Sequence, residues 1–294
     1  MALVHGLVWV APGDPIDMLP NAEQVRPVLA AQWNLDDPLW KRWIATLWGA
    51  LQGDLGTSLT YRPGMPVTEV IAAPAARSTV WVGLAVLLAM TGGTAAAWWT
   101  SSTRTNHTRR AIQVVSIVPV FLLAHLAVRV INETAFAAMD QGWIDRPDWF
   151  ALPDQPSMFR TALAVAILAV GSGALAQVHQ EVEDSLVRIR RSGFIDAARA
   201  RGARLWPHVL RNLVPPLTTV VALRASFFIG GLVILEKVLL LNGVGATLWR
   251  ACLERDYPLA AGITILMAAA VALARLIGDV VRLAVDPRLT TGRS

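Results

Sequence analysis

The stretch Asp196-Ala-Ala-Arg-Ala-Arg-Gly-Ala-Arg-Leu-Trp-Pro-His-Val-Leu-Arg-Asn-Leu-Val-Pro215 is basic and polar, and it lies between two apolar runs. Up to Arg201 its residues are good helix formers, and Gly202 supplies the left-handed conformation that closes a helix. Leu205, Trp206, Val209, Leu210 and Leu213 then recur at steps of one, three, one and three, an amphipathic stripe with Pro207 in its first turn. The stretch therefore predicts a short helix, a glycine turn and a second short helix. Ala197 and Ala198 leave room for another protein to approach its backbone closely.

The flanking runs decide the class. Of 294 residues, 54% are apolar and only 16% charged, and the mean hydropathy is +0.48. That balance excludes an ordinary soluble fold and predicts an all-α polytopic membrane protein. The single Cys252 rules out an internal disulfide framework. The net charge of +5 comes from 24 Arg and 2 Lys. Such a balance suits a nucleic-acid partner in principle, but the charges fall in loops between spans, where membrane orientation accounts for them better.

Five complete spans are predicted, at Thr79 to Trp99, Ala111 to Val130, Thr161 to Val178, Leu217 to Leu241 and Leu259 to Val285. Pro119 is expected to kink the second. The Lys and Arg residues of 101–110 and 179–214 number three and seven, against one in 132–157, which puts the first two segments and the C-terminus in the cytoplasm. Met1 to Val10 is apolar but covers only half a span, so residues 1–11 read as a short first helix or the end of one that starts further upstream. Residues 12–77 form a polar, Trp-bearing extracytoplasmic segment. In it, Glu23 to Gln32 and Pro38 to Leu51 read as amphipathic helices, the second with Trp40, Trp43, Ile44, Leu47, Trp48 and Leu51 on one side. This segment is either a docking platform or a cap lying at headgroup depth. The transmembrane core is 78–294, with the loop at 179–214 on its cytoplasmic side.

Charges inside the spans are candidate functional residues, because hydrocarbon tolerates them only against protein or water. Arg224 stands seven residues inside the fourth span, placed to contact a substrate carboxylate or to pair with an acid on another helix. Arg275, Asp279, Arg282 and Asp286 share one face of the last span, as a pathway lining or as a snorkelling, mutually neutralising ladder. Gly243 and Gly245 permit a tight re-entrant backbone after Asn242.

Catalytic readings are weak. Lys41 and Lys237 lack the glycine-rich turn of a Walker A phosphate loop. The five His are scattered without a zinc pair, so neither a catalytic nor a metal site is predicted. Ser172 in Gly171-Ser-Gly173 carries the alternative of an intramembrane serine hydrolase, against the plainer reading of small residues that let helices pack closely.

The order Asp196, Ala197, Ala198, Gly202 and the ending Leu213-Val-Pro215 resembles the cytoplasmic loop of permease subunits in ABC importers, with Asn212 where that family usually has an apolar residue. Pro12-Gly-Asp-Pro15, Gly53-Asp-Leu-Gly-Thr-Ser58, Glu236-Lys237, Asn242-Gly-Val-Gly245, Glu254-Arg-Asp-Tyr-Pro258 and Asp286-Pro-Arg288 are similar to the peptide and nickel branch. The resemblance implies a type I importer permease fold in the bacterial inner membrane. It implies that Asp196, Ala197, Ala198, Arg201, Gly202 and Leu205 couple to an ATPase subunit, and that Arg224, Glu236 and Asn242 are candidates for the translocation path. The partners it implies are a second homologous permease subunit, two ATPase subunits or domains, and an extracytoplasmic solute-binding protein within a lipid bilayer. This chain would bind no cofactor itself, ATP and Mg residing on the partner subunits.

Overall fold

The computed structural model describes residues 15–18, 21–32, 37–103, 106–145, 157–190, 193, 197, 200–202 and 206–285. The expected short first helix at 1–11, the C-terminal ending from Asp286, and Asp196, Ala198 and Leu205 of the coupling loop lie outside the described residues. Within them the fold is all helical, and the one extended pairing is an isolated bridge between Thr57 and Pro66. A short 3-10 turn, Pro15–Met18, precedes α1 (Ala22–Gln32), α2 (Leu39–Leu51), α3 (Val67–Thr103), α4 (Asn106–Ile117) and α5 (Val120–Asp140). α6 (Met158–Gly171), α7 (Ala174–Arg190), α8 (Trp206–Val238), α9 (Val244–Leu253) and α10 (Tyr257–Val285) follow.

Four of these helices are long and apolar enough to cross a membrane: Val67–Ser101, Val120–Asp140, Asn212–Val238 and Tyr257–Ala284. A fifth crossing is available if α6 and α7, bent by 51° at their junction, count as one broken span. The boundaries differ from those expected. α3 runs 37 residues, about 55 Å at 1.5 Å per residue, and so overshoots a hydrocarbon core of roughly 30 Å. The span expected over Ala111 to Val130 is instead divided. Pro119 lacks an N–H and its ring excludes the carbonyl four residues back, so it ends one helix and opens the next in extended geometry (φ −57°, ψ 142°) rather than kinking a single rod. The apolar helix starts only at Val120 and runs through residues 132–140, which the sequence placed in a loop.

The third expected span is broken as well. Gly173 adopts φ +72° between α6 and α7, a conformation that costs any residue with a Cβ.

Two compact units divide the chain: residues 1–79 with 242–270, and 80–241 with 271–294. The first has a core of Val67, Val70, Ile71, Val244, Leu259 and Ile263. The second is centred on Trp81, Leu168, Phe228, Leu232 and Leu235, with a further cluster of Ala97, Val178, Val182, Leu213 and Val220. Glycines bring its helices together. A Cβ on Gly93 of α3 would stand 2.7 Å from Val178 Cγ1 and 2.8 Å from the Leu175 carbonyl of α7, and one on Gly171 would stand 2.6 Å from Val120.

Of the charge ladder on α10, Asp286 lies outside the described residues. Arg275, Asp279 and Arg282 are exposed, and among the described residues no ion pair joins them. Arg275 precedes Asp279, the less favourable order for an i,i+4 pair along a helix.

Candidate functional site

In the unit formed by 80–241 and 271–294, both helix breaks open on one cleft of about 910 Å³. Its walls are the end of α4, the Val118–Pro119 break, the start of α5, the Gly171-Ser172-Gly173 break, and one side each of α7 and α8. Polar side chains come from Gln113, Ser116, Gln177, Gln180 and Ser226, and the charge comes from Arg224. α8 places Arg224 half-buried in this wall. Its Nε–H donates to Gln177 Oε1 at 2.6 Å and an Nη1–H donates to the Ser172 carbonyl at 3.2 Å. The guanidinium lies 5.2 Å from the centre of the Phe227 ring. The acid partner envisaged from the sequence is replaced, among the described residues, by an amide and a backbone carbonyl. The carbonyl is accessible because the break at Gly173 leaves the helical ladder there incomplete.

Ser172 is buried, and its hydroxyl serves the break. It donates to the Ala169 carbonyl at 3.4 Å and accepts from Ala174 N–H at 3.3 Å. Both contacts are to local backbone, and neither activates an oxygen nucleophile, so the hydrolase alternative finds no support. Glu236 is fully buried in α8 and does not line this cleft. Elsewhere in this unit, the buried Thr100 and His179 meet the half-buried Glu183, with Thr100 Oγ1 at 3.0 Å from His179 Nε2 and 3.3 Å from Glu183 Oε1. Arg109 pairs with Glu183 at 3.6 Å.

In the other unit, two motifs far apart in sequence meet. Asp256 is fully buried, and its Oδ2 accepts from the Ser58 hydroxyl and from the N–H groups of Leu59, Thr60 and Tyr61 at 3.0, 3.2 and 3.1 Å. Its Oδ1 accepts from Leu259 N–H at 3.2 Å, capping the first turn of α10. Asn242 is held by its backbone, with its carbonyl accepting from Arg77 Nε–H at 2.6 Å. Ser78 Oγ accepts from Val244 N–H at 2.9 Å. The turn here departs from the glycine expectation: Gly243 is extended at φ −113°, and Leu240 takes the positive φ of 53°.

Of the residues expected to couple to an ATPase subunit, Ala197, Arg201 and Gly202 are described. Gly202 has the left-handed φ of +66° expected of it, and Arg201 Nε–H donates to the Ala197 carbonyl at 3.1 Å.

Residues 89–291, the stretch that holds the cleft and the loop, match the binding-protein-dependent transport system inner membrane component family. The chain belongs to that family. This permease is thus a multi-pass inner-membrane component of a transport system, with the polytopic all-α fold expected of ABC importer permeases. It is similar to the glutathione transport system permease protein of Escherichia coli O6:H1, 28% identical over 308 residues that cover 98% of this chain and 92% of the relative. The dipeptide transport system permease protein of Escherichia coli K12 is 26% identical over 318 residues, 98% and 93% of the two chains. The oligopeptide transport system permease protein of Bacillus subtilis is 25% identical over 296 residues, 96% and 92%.

Sequence reading found Arg224 but missed the glutamines that surround it. Gln177 and Gln180 sit at the end of a predicted span, where an amide is a weak signal. The Ser58 to Asp256 contact was also missed, since nothing local ties two segments almost two hundred residues apart.

Proposed function

We propose that this permease forms half of the translocation pathway of an ATP-driven importer for peptide-like solutes. The observation that carries the reading is the cleft at two helix breaks inside the family-matched region. Broken helices bring backbone groups out of the helical ladder at the wall of a cavity, and such breaks mark binding regions in transporters. The three relatives named above serve glutathione, dipeptides and oligopeptides, which supports a peptide-like cargo.

Partners follow from the division of labour. A second homologous permease subunit completes the path, two ATPase subunits or domains supply ATP and Mg, and an extracytoplasmic solute-binding protein delivers the cargo. The loop around Asp196 to Pro215 faces the cytoplasm, as does the C-terminus, and is gripped by the ATPase through Ala197, Ala198, Arg201, Gly202 and Leu205. Closure of the ATPases on nucleotide tilts the attached spans between outward and inward openings. Trp40 and Trp48 on α2 are 65% and 64% exposed, which suits a cap at headgroup depth and equally a platform for the solute-binding protein.

Uptake of a peptide pool by cells lacking the chain, complemented with wild type or Gly202→Asp, tests the reading. Complementation by wild type and loss with Gly202→Asp, at unchanged membrane abundance, are expected. Full uptake with the variant, or a thiol introduced by Arg201→Cys that reacts with impermeant reagent from outside intact cells, overturns it.

A further inference from the structure

Arg224 lies twelve residues from one end of its span and fourteen from the other (Asn212–Val238). Among the described residues lining the cleft it is the one that carries a charge. A guanidinium carries five N–H donors. Two are engaged, by Gln177 and the Ser172 carbonyl, and no acid pairs with it among the described residues. Gly173 packs against the guanidinium, with its ideal Cβ position 3.1 Å from Nη1, so the bare glycine leaves space for the group. An uncompensated mid-depth cation persists where it faces water and meets an anion during function. The surrounding amides of Gln113, Gln177 and Gln180 can donate to such an anion as well. α5 and α7 begin at the wall of the same cleft, and their positive ends add to the field.

We propose that the cleft beside Arg224 binds a carboxylate group of the solute in passage, the unused guanidinium N–H groups acting as a forked donor. This rests on the importer reading above and names the chemical group recognised within it. The fork matches a planar carboxylate with two parallel hydrogen bonds. With a single cation in the lining, a singly charged carboxylate is balanced and a doubly charged phosphate is not. The stacked Phe227 and the hydrogen bonds from Nε and Nη1 fix the plane of the guanidinium before the solute arrives, which lowers the ordering cost of binding.

The test uses the full chain carrying Cys252→Ser and Ser226→Cys, in lipid nanodiscs with its partner subunits. Ser226 is exposed on the wall of the cleft. Modification of the introduced thiol by a neutral methanethiosulfonate reagent is timed with dialanine, dialanine amide or acetate present. Dialanine and acetate at about ten times their dissociation constants are expected to slow modification about tenfold, the fraction of free cleft then being about one in ten. Dialanine amide is expected to give no protection. Arg224→Gln abolishes the protection, and Arg224→Lys, which keeps the charge but loses the fork, retains part of it. A merely structural arginine would change the unprotected rate and leave acid and amide alike. Equal protection by acid and amide, protection by neither, or protection that survives Arg224→Gln overturns the proposal. Acid-selective protection in a chain that restores no uptake sinks the importer reading alone. Restored uptake without acid selectivity sinks the carboxylate site alone.

Discussion

Removing the Asp256 carboxylate tests whether one buried side chain holds the Ser58 to Tyr61 loop and the first turn of α10 together. It accepts from five donors, of which those on Ser58, Leu59 and Leu259 are buried and those on Thr60 and Tyr61 half-buried. Asp256→Ala removes every acceptor. Water can replace it at the half-buried amides, so the cost comes from the buried donors and from the lost cap of about 1 kcal/mol. With Leu259 N–H counted in the cap, the two other buried donors, on Ser58 and Leu59, cost about 1–3 kcal/mol each when left unsatisfied, so the total is about 3–7 kcal/mol. Asp256→Asn keeps one oxygen acceptor. With that oxygen on the loop, its amide N–H₂ faces Leu259 N–H, and the loss is about 1–2 kcal/mol. Hydrogen exchange of the Leu59, Thr60 and Tyr61 amides reads the local opening directly. At tenfold per 1.4 kcal/mol, exchange is expected to accelerate roughly tenfold in Asp256→Asn and at least about a hundredfold in Asp256→Ala. Exchange within about twofold of wild type in Asp256→Ala, or equal acceleration in both variants, would show that these bonds do not set the stability of the loop.

Two glycine substitutions follow from the packing of the other unit. Gly93→Ala drives a Cβ into the Val178 side chain and the Leu175 carbonyl, and is expected to destabilise by about 1–3 kcal/mol through overpacking. Gly83→Ala on the same helix meets nothing within 4 Å and should be neutral or stabilising by up to about 1 kcal/mol; thermal unfolding in detergent compares the two. Gly173→Ala meets a φ of +72° and a guanidinium nitrogen 3.1 Å from the new Cβ. It is expected to cost about 1–2 kcal/mol and to displace Arg224, read as a changed modification rate in the Ser226→Cys background; an unchanged unfolding temperature and rate would contradict the geometry.

Composition and span spacing made the helical membrane fold legible, because transfer of backbone into hydrocarbon leaves few alternatives. Span ends were less legible. An apolar run does not reveal that Pro119 divides it, since proline both kinks and terminates helices and neighbouring packing decides which. The Gly171-Ser-Gly173 run was readable as small, but its φ of +72° at Gly173 depends on a bend that places Ser172 and Arg224 in contact. Arg224 stood out as a charge among apolar neighbours. Its partners did not, because an amide such as Gln177 is unremarkable near a span end. Asp256 and Ser58 each lay in a noticed motif, and only folding shows that one carboxylate serves both.

The two interruptions flanking the cleft also bear on the bilayer. Extended backbone at Pro119 and left-handed backbone at Gly173 start α5 and α7 afresh, and the first amides of a helix have no helical partner and cannot be solvated by acyl chains. Such groups are served by neighbouring protein or by water in a cavity, so the cleft rather than lipid has to satisfy them. Water that fills the cleft would in turn have to be sealed from at least one aqueous side in the resting transporter, or ions would leak along it.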